Sequence, residues 1–192
     1  MALKTEKSLI ESFKKLLSKK PISKITIKEL TDDCKISRMT FYYHFTDIYD
    51  LARYVSVQDA LKIEQLSGGN DKSHLISILN FFYDNKEITY NIYNGLKSGE
   101  ALEYLIKMFE GVVSKLLYNN TINKKFTVVN LEFLKNYILN AVVGCVKKWF
   151  DNNMDENPND VAEKLYLLTV GLINYSTNEI AKEFNNENEN NA

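Results

Sequence analysis

The sequence predicts an all-α protein in which a small three-helix head precedes a larger helical body. Along most of the chain, apolar residues recur at the three- and four-residue spacing of a helix, and runs that alternate like a strand are few. Only two prolines occur, and none of the seven glycines precedes Gly68, so few positions interrupt a helix. Cap and turn residues fall between the apolar stripes, which divides the chain into separate helices.

The head begins with two predicted helices. An apolar stripe predicts the first at about residues 4–18, and Pro21 follows its end, where a helix cannot continue. The segment "ITIKELTDDC" then predicts a helix of about two turns at 26–34. Thr26 caps this second helix, because Glu29 stands three residues further on and completes a capping box.

The third and fourth helices follow closely. Ser37 is a good cap for a helix at about 37–44, and Thr46 or Asp47 caps a fourth helix that continues to about Leu66. The second and third helices are short and joined by a tight turn, which is the arrangement of a helix-turn-helix unit. The stretch "SGGND" ends the fourth helix, which we interpret as the mechanical link between head and body.

The body is predicted to contain five more helices. They lie at about 72–84, 86–96, 98–118, 127–153 and 158–184. The chain ends in "NNENENNA", which has nothing to bury and predicts disorder.

Composition argues against several classes of protein. The two cysteines, Cys34 and Cys145, stand far apart, which disfavours a disulfide scaffold or a zinc site and suits a reducing cytoplasm. The N-terminus lacks the apolar core of a signal peptide, and no charge-free run approaches the ~20 residues that span a bilayer. With two histidines and no Gly-rich phosphate loop, no catalysis, metal or cofactor is indicated. We expect a soluble cytoplasmic protein without a membrane partner.

Charge is unevenly distributed along the chain. Residues 1–56 hold eleven Lys or Arg and seven Asp or Glu, whereas residues 57–192 hold thirteen and eighteen. The head is therefore modestly basic on an acidic body, and the formal net charge of −1 hides this difference. Chance alone could produce such a balance, but the pattern favours an anionic partner for the head.

The stretch "ISRMTFYYHF" carries aromatic side chains all round the third helix. Phe41 and Phe45 are four residues apart, share one face and are predicted to close the core of the head. The remaining side chains belong to the other faces: Arg38, Met39, Thr40, Tyr42, Tyr43 and His44. So many large side chains outside the core face predict a binding surface.

The outer residues of the third helix are suited to contact double-stranded DNA. A recognition helix enters the major groove, where arginine donates to guanine edges and tyrosine hydroxyls reach phosphates. The predicted DNA-binding residues are Thr26, Lys28, Ser37, Arg38, Met39, Thr40, Tyr42, Tyr43 and His44. Each has an alternative role, since a tyrosine can pack against another helix and Thr26 and His44 can serve as helix caps.

The segment "ITIKELTDDCKISRMTFYYHFTDIYDL" resembles the N-terminal domain of the TetR family of transcription regulators. The positions that carry the resemblance are Thr26, Leu30, Ile36, Ser37, Thr40, Phe41, Tyr42, Tyr43, His44, Phe45 and Leu51. The resemblance covers about residues 7–55, and "FTDIYDL" looks like the branch that includes the activators of dihydroxyacetone-kinase operons. Two positions depart from the pattern, because Lys35 stands where the turn often has Gly and Ile48 where a phosphate-contacting Lys is frequent.

We divide the chain into a helix-turn-helix DNA-binding domain at 1–50, a helical ligand-binding and dimerisation domain at 51–184, and a disordered tail at 185–192. The resemblance implies a homodimer. The last two helices of each subunit would form a four-helix bundle, and their charge-free runs are compatible with this. The predicted interface residues are Leu139, Val142, Val143, Val146, Leu168, Gly171, Leu172 and Tyr175. The core of a monomer would bury the same runs.

The body also contains aromatic residues suited to an effector pocket. These are Tyr83, Tyr90, Tyr93, Tyr104, Phe109 and Trp149. Ordinary helix packing explains any one of them equally well. The expected function is that of a DNA-binding regulator controlled by a small molecule or a partner protein, and the alternative is a helical adaptor that keeps a relic DNA-binding fold.

Overall fold

The computed structural model describes residues 2–68, 71–96, 98–122 and 128–190, and all regular structure in these ranges is helical. The helices are α1 (Ala2–Leu17), α2 (Ile27–Cys34), α3 (Arg38–His44), α4 (Ile48–Leu66), α5 (Asp71–Asp84), α6 (Lys86–Tyr93), α7 (Ser98–Thr121), α8 (Val128–Asp151) and α9 (Pro158–Asn190). A short 3-10 turn, Ile22–Lys24, separates α1 from α2. The predicted all-α fold with an N-terminal helix-turn-helix is confirmed.

The observed helix bounds agree with the predicted ones to within a few residues. The largest difference is at the end of α9, which continues to Asn190 rather than stopping near residue 184. The interpretation of 185–192 as a disordered tail stays a prediction. Across the described parts of the chain, no helix combines the length and the apolar character needed to cross a membrane.

The helices divide into two compact units. Unit 1 comprises Met1–Lys62 and Phe81–Lys107, and unit 2 comprises Ile63–Asn80 and Met108–Ala192. Unit 1 therefore contains α6 and the start of α7 in addition to the helix-turn-helix. The functional division at residue 50 stays a prediction.

The core of unit 1 is built around the inner face of α3. Phe41 and Phe45 are buried there, as predicted, and they pack in one cluster with Phe13 of α1, Leu30 of α2 and Ile92 of α6. Burial of each such side chain stabilises the fold by roughly 1.5–3 kcal/mol. The orientation of α3 is therefore fixed by its aromatic inner face.

The C-terminal end of α6 lies very close to the helix-turn-helix within unit 1. The Asn91 side-chain amide donates a hydrogen bond to the Leu17 carbonyl at the end of α1, at 2.8 Å. A Cβ atom at Gly95 would lie 2.5 Å from Cγ2 of Ile22. Only glycine fits this position without displacing a neighbour, so the contact needs the residue type that the chain has there.

Unit 2 buries one face each of α8 and α9. Val143, Phe150 and Ile173 are almost completely buried. The Trp149 indole N–H donates to the Glu156 carbonyl at 2.9 Å, which ties the end of α8 to the loop before α9. The opposite faces of α8 and α9 remain exposed and carry several large apolar side chains.

Candidate nucleic-acid interface

The start of α2 is held by the predicted capping box. The Thr26 hydroxyl accepts a hydrogen bond from the Glu29 backbone N–H at 3.3 Å, and the Glu29 carboxylate accepts one from the Thr26 N–H at 2.9 Å. Hydrogen bonds from Lys20 and Thr26 to this carboxylate lower the pKa of Glu29 to about 2. Thr26 is exposed beside Lys28, so a helix end with free N–H groups and a cation face solvent together.

The turn between α2 and α3 keeps a left-handed residue without glycine. Lys35 has φ 54° and ψ 44°. The Ile36 N–H donates to the Thr31 carbonyl at 3.0 Å and the Lys35 N–H to the Asp32 carbonyl at 3.2 Å, which closes a Schellman motif. Lysine in this conformation costs about 1 kcal/mol relative to glycine, but the turn geometry is retained.

The outer faces of α3 present the predicted side chains to solvent. Ser37 caps the helix, and its hydroxyl accepts a hydrogen bond from the Thr40 N–H at 3.1 Å. Met39, Tyr42 and Tyr43 are 77%, 53% and 83% exposed. Large apolar and aromatic groups are thus held in water on a helix whose inner face is firmly packed.

Two exposed cations stand near this surface, one at the start of α2 and one at the start of α3. Three lysines of the head are neutralised at 2.5–2.6 Å: Lys14 by Asp59, Lys15 by Asp33 and Lys20 by Glu29. The side chains of Lys28 and Arg38 are exposed and have no ion-pair or hydrogen-bond partner among the described residues. They are therefore available to an external anion.

His44 differs from the other predicted contact residues. Its side chain is only 8% exposed, and Nδ1 lies 3.3 Å from a carboxylate oxygen of Glu6 in α1. The Tyr54 hydroxyl of α4 donates to the other oxygen of Glu6 at 3.4 Å. His44 therefore links α3 to α1, and its DNA contact stays a prediction. Sequence inspection missed Glu6 and Tyr54, because no local pattern pairs residues so far apart in the chain.

The start of α4 is held by capping hydrogen bonds and by a buried apolar side chain. The Asp50 N–H donates to the Asp47 carboxylate at 2.7 Å, and the Thr46 N–H donates to the Asp50 carboxylate at 3.0 Å. Ile48 is buried in the unit 1 core. Its side chain therefore packs in the core, and residue 48 supplies no cation at the start of α4.

The predicted pocket residues are divided between the two units. Phe109 and Trp149 are buried in unit 2, and the other four lie in unit 1. Those in unit 1 are half-buried or exposed: Tyr83, Tyr90, Tyr93 and Tyr104. Tyr104 lines a groove of about 350 Å³ beside α4, and Trp149 lines a separate depression in unit 2. An effector pocket formed by all six stays a prediction.

The predicted dimer residues are also of two kinds. Four residues of α8 are buried inside unit 2: Leu139, Val142, Val143 and Val146. On α9, Leu168 and Tyr175 are exposed, as is Gly171, and Leu172 is half-buried. Among the described side chains of α8, the large apolar ones that are exposed are instead Phe133 and Tyr137. The dimer interface stays a prediction, and the burial of the α8 residues does not favour their part in it.

A family model described as "Transcriptional regulator C-terminal region", of the TetR type, matches residues 70–171, which is more than half of the chain. No curated protein matches the chain. In the described ranges no group of three or more His, Cys, Asp or Glu side chains is arranged to hold a metal ion.

Several solved structures share the fold. The dihydroxyacetone kinase operon activator DhaS is 16% identical, with a TM-score of 0.63 over 88% of this chain and 96% of that one. A TetR transcriptional regulator from Streptococcus agalactiae is 19% identical, with a TM-score of 0.60 over 90% and 94%. RolR, solved without ligand, is 17% identical, with a TM-score of 0.62 over 91% and 95%.

Proposed function

Because the chain belongs to the TetR family of transcription regulators, we propose that it binds a specific DNA operator as a homodimer and is controlled by an effector. The effector is a small molecule or a partner protein that acts on the helices beyond the helix-turn-helix. The protein works in the cytoplasm as a regulator and not as an enzyme, without a cofactor.

The observation that carries this proposal is the exposed surface of α3. Arg38 stands unpaired in the first turn of the helix, and Tyr42 and Tyr43 are exposed further along it. In the major groove, the guanidinium of Arg38 pairs with guanine edges or a phosphate, and Met39 and Thr40 meet base edges or a thymine methyl. The tyrosine hydroxyls reach phosphates on the flanks.

The start of α2 adds a phosphate contact on the same unit. Its first free N–H groups and the Lys28 ammonium group lie at one exposed helix end, beside the Thr26 hydroxyl, which donates to the Glu29 carboxylate at 2.8 Å. Such contacts position a protein on DNA without reading its sequence. In this proposal α2 fixes the register of the head, and α3 reads the bases.

The exposed faces of α8 and α9 support a homodimer. Leu168 and Tyr175 of α9 and Phe133 and Tyr137 of α8 are each more than half exposed. Gly171 is exposed as well, and a Cβ atom there would meet nothing within 4 Å, so a second helix has room to approach. A two-fold dimer would place two α3 helices about one DNA turn apart, or a small multiple of it.

Control would act through α4. Residues 48–62 of this helix belong to unit 1 and residues 63–66 to unit 2. An effector that binds one position of α4 better than another shifts the population between states that do and do not fit the operator.

The alternative function is a helical adaptor that keeps a relic DNA-binding fold. Salt dependence separates the two, because phosphate contacts release counterions and make DNA affinity fall steeply with ionic strength. An adaptor has no DNA affinity to lose. The exposed, unpaired Arg38 favours the regulator, because the helix dipole disfavours a cation in the first turn of α3 and a phosphate or base contact would offset that cost.

The proposal is tested by a mobility-shift assay on the DNA that flanks the gene. The assay is run at low and physiological salt with unrelated DNA as competitor, followed by selection from random sequences. A competitor-resistant shift supports the regulator, and footprinting then gives the spacing of the half-sites. Failure of both the native flanking DNA and the selection would favour the adaptor.

A further inference from the structure

A groove with a volume of about 350 Å³ lies on unit 1 beside the first half of α4. Its walls come from α4, from Leu96 after α6 and from the first turns of α7. The apolar and aromatic lining residues are Tyr49, Ala52, Tyr54, Val57, Leu96 and Tyr104. This volume falls at the small end of the ~300–1,000 Å³ range of small-molecule sites.

The lining favours one chemical class of ligand. Three tyrosine rings offer flat faces, and Val57 and Leu96 add aliphatic surface. Charges at the rim are mixed, with Arg53 and Lys107 opposed by Asp50, Glu100 and Glu103. The Arg53 guanidinium already lies 3.4 Å from the Asp50 carboxylate. The lining carries one carboxylate more than it has cations, but Glu100 and Lys107 already have partners within the chain. With its charges paired in this way, the groove suits a neutral aromatic molecule better than an ion.

One residue of the groove wall, Tyr104, also belongs to the wall of a second, smaller cavity in unit 1. Tyr104 also lines a cavity of about 30 Å³, whose other walls include Lys14, Asp59 and Val55. Burial and the nearby Asp59 carboxylate raise the pKa of the Tyr104 hydroxyl, so the phenol is neutral. Tyr104 therefore lines both the surface groove and the small cavity beside a partly buried charged pair, Lys14 and Asp59.

That charged pair connects α4 to the helix-turn-helix. The Lys14 ammonium group of α1 donates to Asp59 of α4 at 2.6 Å, and the Asp59 side chain is only 16% exposed. α1 packs on α2, which begins at the exposed end described above. A displacement of the Tyr104 ring thus has a short route to α1, through Asp59 and Lys14.

We propose that this groove is the binding site for a neutral aromatic effector, which acts on the helix-turn-helix through Tyr104, Asp59 and Lys14. The regulatory part rests on the proposed function, whereas the binding part does not. The site lies wholly within unit 1 and uses only one of the aromatic residues that the sequence suggested for a pocket.

Binding is tested with N-phenyl-1-naphthylamine, a neutral aromatic fluorophore that brightens in apolar surroundings. Val57→Glu places a charge in the groove wall, and Leu61→Glu changes an equally exposed apolar residue one turn further along α4, outside the lining. We expect Val57→Glu to weaken binding to the full-length protein by roughly tenfold or more, because a charge disfavours an apolar ligand. The affinity of Leu61→Glu should match that of the unchanged protein. Equal affinity of all three proteins would overturn the site.

Coupling is tested by hydrogen exchange of the α1 amides with and without the fluorophore. We expect the fluorophore to change this exchange in the unchanged protein but not in Asp59→Asn or Lys14→Met, which still bind it. Operator affinity should change in parallel by roughly 5- to 150-fold. If the fluorophore altered exchange of the α1 amides but the protein bound no DNA, the proposed function would be rejected and the groove would still stand as a binding site. Fluorophore binding without altered exchange would overturn the route through Asp59.

Discussion

The outer face of α3 and the outer faces of α8 and α9 all expose aromatic side chains, but the side chains that accompany the rings differ in charge. On α3, Tyr42 and Tyr43 follow the unpaired cation Arg38. On α8 and α9, exposed residues such as Phe133 and Leu168 are accompanied by glycine, alanine and asparagine. Both surfaces offer hydrogen-bond donors, but the α3 surface adds a positive charge, whereas the residues that accompany the exposed apolar side chains of α8 and α9 are uncharged.

The difference shows that exposure of aromatic residues does not by itself identify a partner. A polyanion is recognised through donors and cations, and tyrosine hydroxyls and an arginine supply both. A surface without charge gains most from contact with another apolar surface, at about 25 cal/mol for each Å² buried. The α3 surface therefore suits DNA, and the α8 and α9 faces suit a second copy of the chain.

The largest expected effect is on DNA binding. Arg38→Ala combined with Tyr42→Ala should lower operator affinity by roughly 100-fold or more, because the loss acts in both halves of a dimer. The melting temperature should stay nearly unchanged, since Tyr42 is more than half exposed and Arg38 has no partner among the described residues. Titration by fluorescence anisotropy and a thermal melt measure the two quantities.

Tyr118→Ala is the matched control, because Tyr118 is 62% exposed but belongs to α7 of unit 2. It should leave operator affinity unchanged. A strong drop in the melting temperature of the double variant would mean that Arg38 and Tyr42 stabilise the fold, and the α3 surface would lose its assignment.

The second effect concerns the apolar faces. Leu168→Glu places a charge on each subunit near a predicted two-fold axis and should weaken the dimer by roughly 2–4 kcal/mol. Sedimentation equilibrium measures the change. Leu66→Glu is the control, because Leu66 on α4 is as exposed as Leu168, at 75% against 71%. If both variants remain dimeric, the dimer uses another face.

The third effect tests the contact between Gly95 and Ile22, which joins the segment after α6 to the helix-turn-helix core. Gly95→Ala brings a Cβ atom against Ile22 and should destabilise the protein by roughly 1–3 kcal/mol in chemical denaturation. Gly111→Ala, in an open position of α7, should instead stabilise it by roughly 0.5–1 kcal/mol. If Gly95→Ala instead raised the free energy of unfolding, the backbone at Gly95 would not be packed tightly against Ile22.

Local signals predicted the helix-turn-helix well because its determinants are close in sequence. Thr26 with Glu29, and the four-residue step from Phe41 to Phe45, each lie within about one helical turn. The contact of Ile22 with Gly95 joins residues far apart in the chain, and no periodicity points to it. Tertiary packing decides such pairs, so the groove beside α4 was likewise beyond prediction.

The inward face of α8 was missed for a different reason. Residues 136–146 carry no charge, and the exposed side is marked only by Asn136, Asn140 and Gly144, which recur every four residues. The sequence suggested Val142 and Val146 for a partner, yet both lie in the core, and Tyr137 is exposed instead. A charge on the outer face, as in α1, would have revealed the orientation.

The smallest expected effect isolates the turn that presents α3. Lys35→Gly should stabilise the protein by about 1 kcal/mol, because glycine adopts the left-handed conformation at φ 54° without steric conflict. Lys35→Ala removes the same ammonium group but keeps the Cβ atom, so it should change the free energy of unfolding little. Urea denaturation of both variants separates backbone strain from charge. If alanine and glycine raised the free energy of unfolding equally, the gain would come from loss of the lysine charge. The backbone conformation at residue 35 would then cost no measurable free energy.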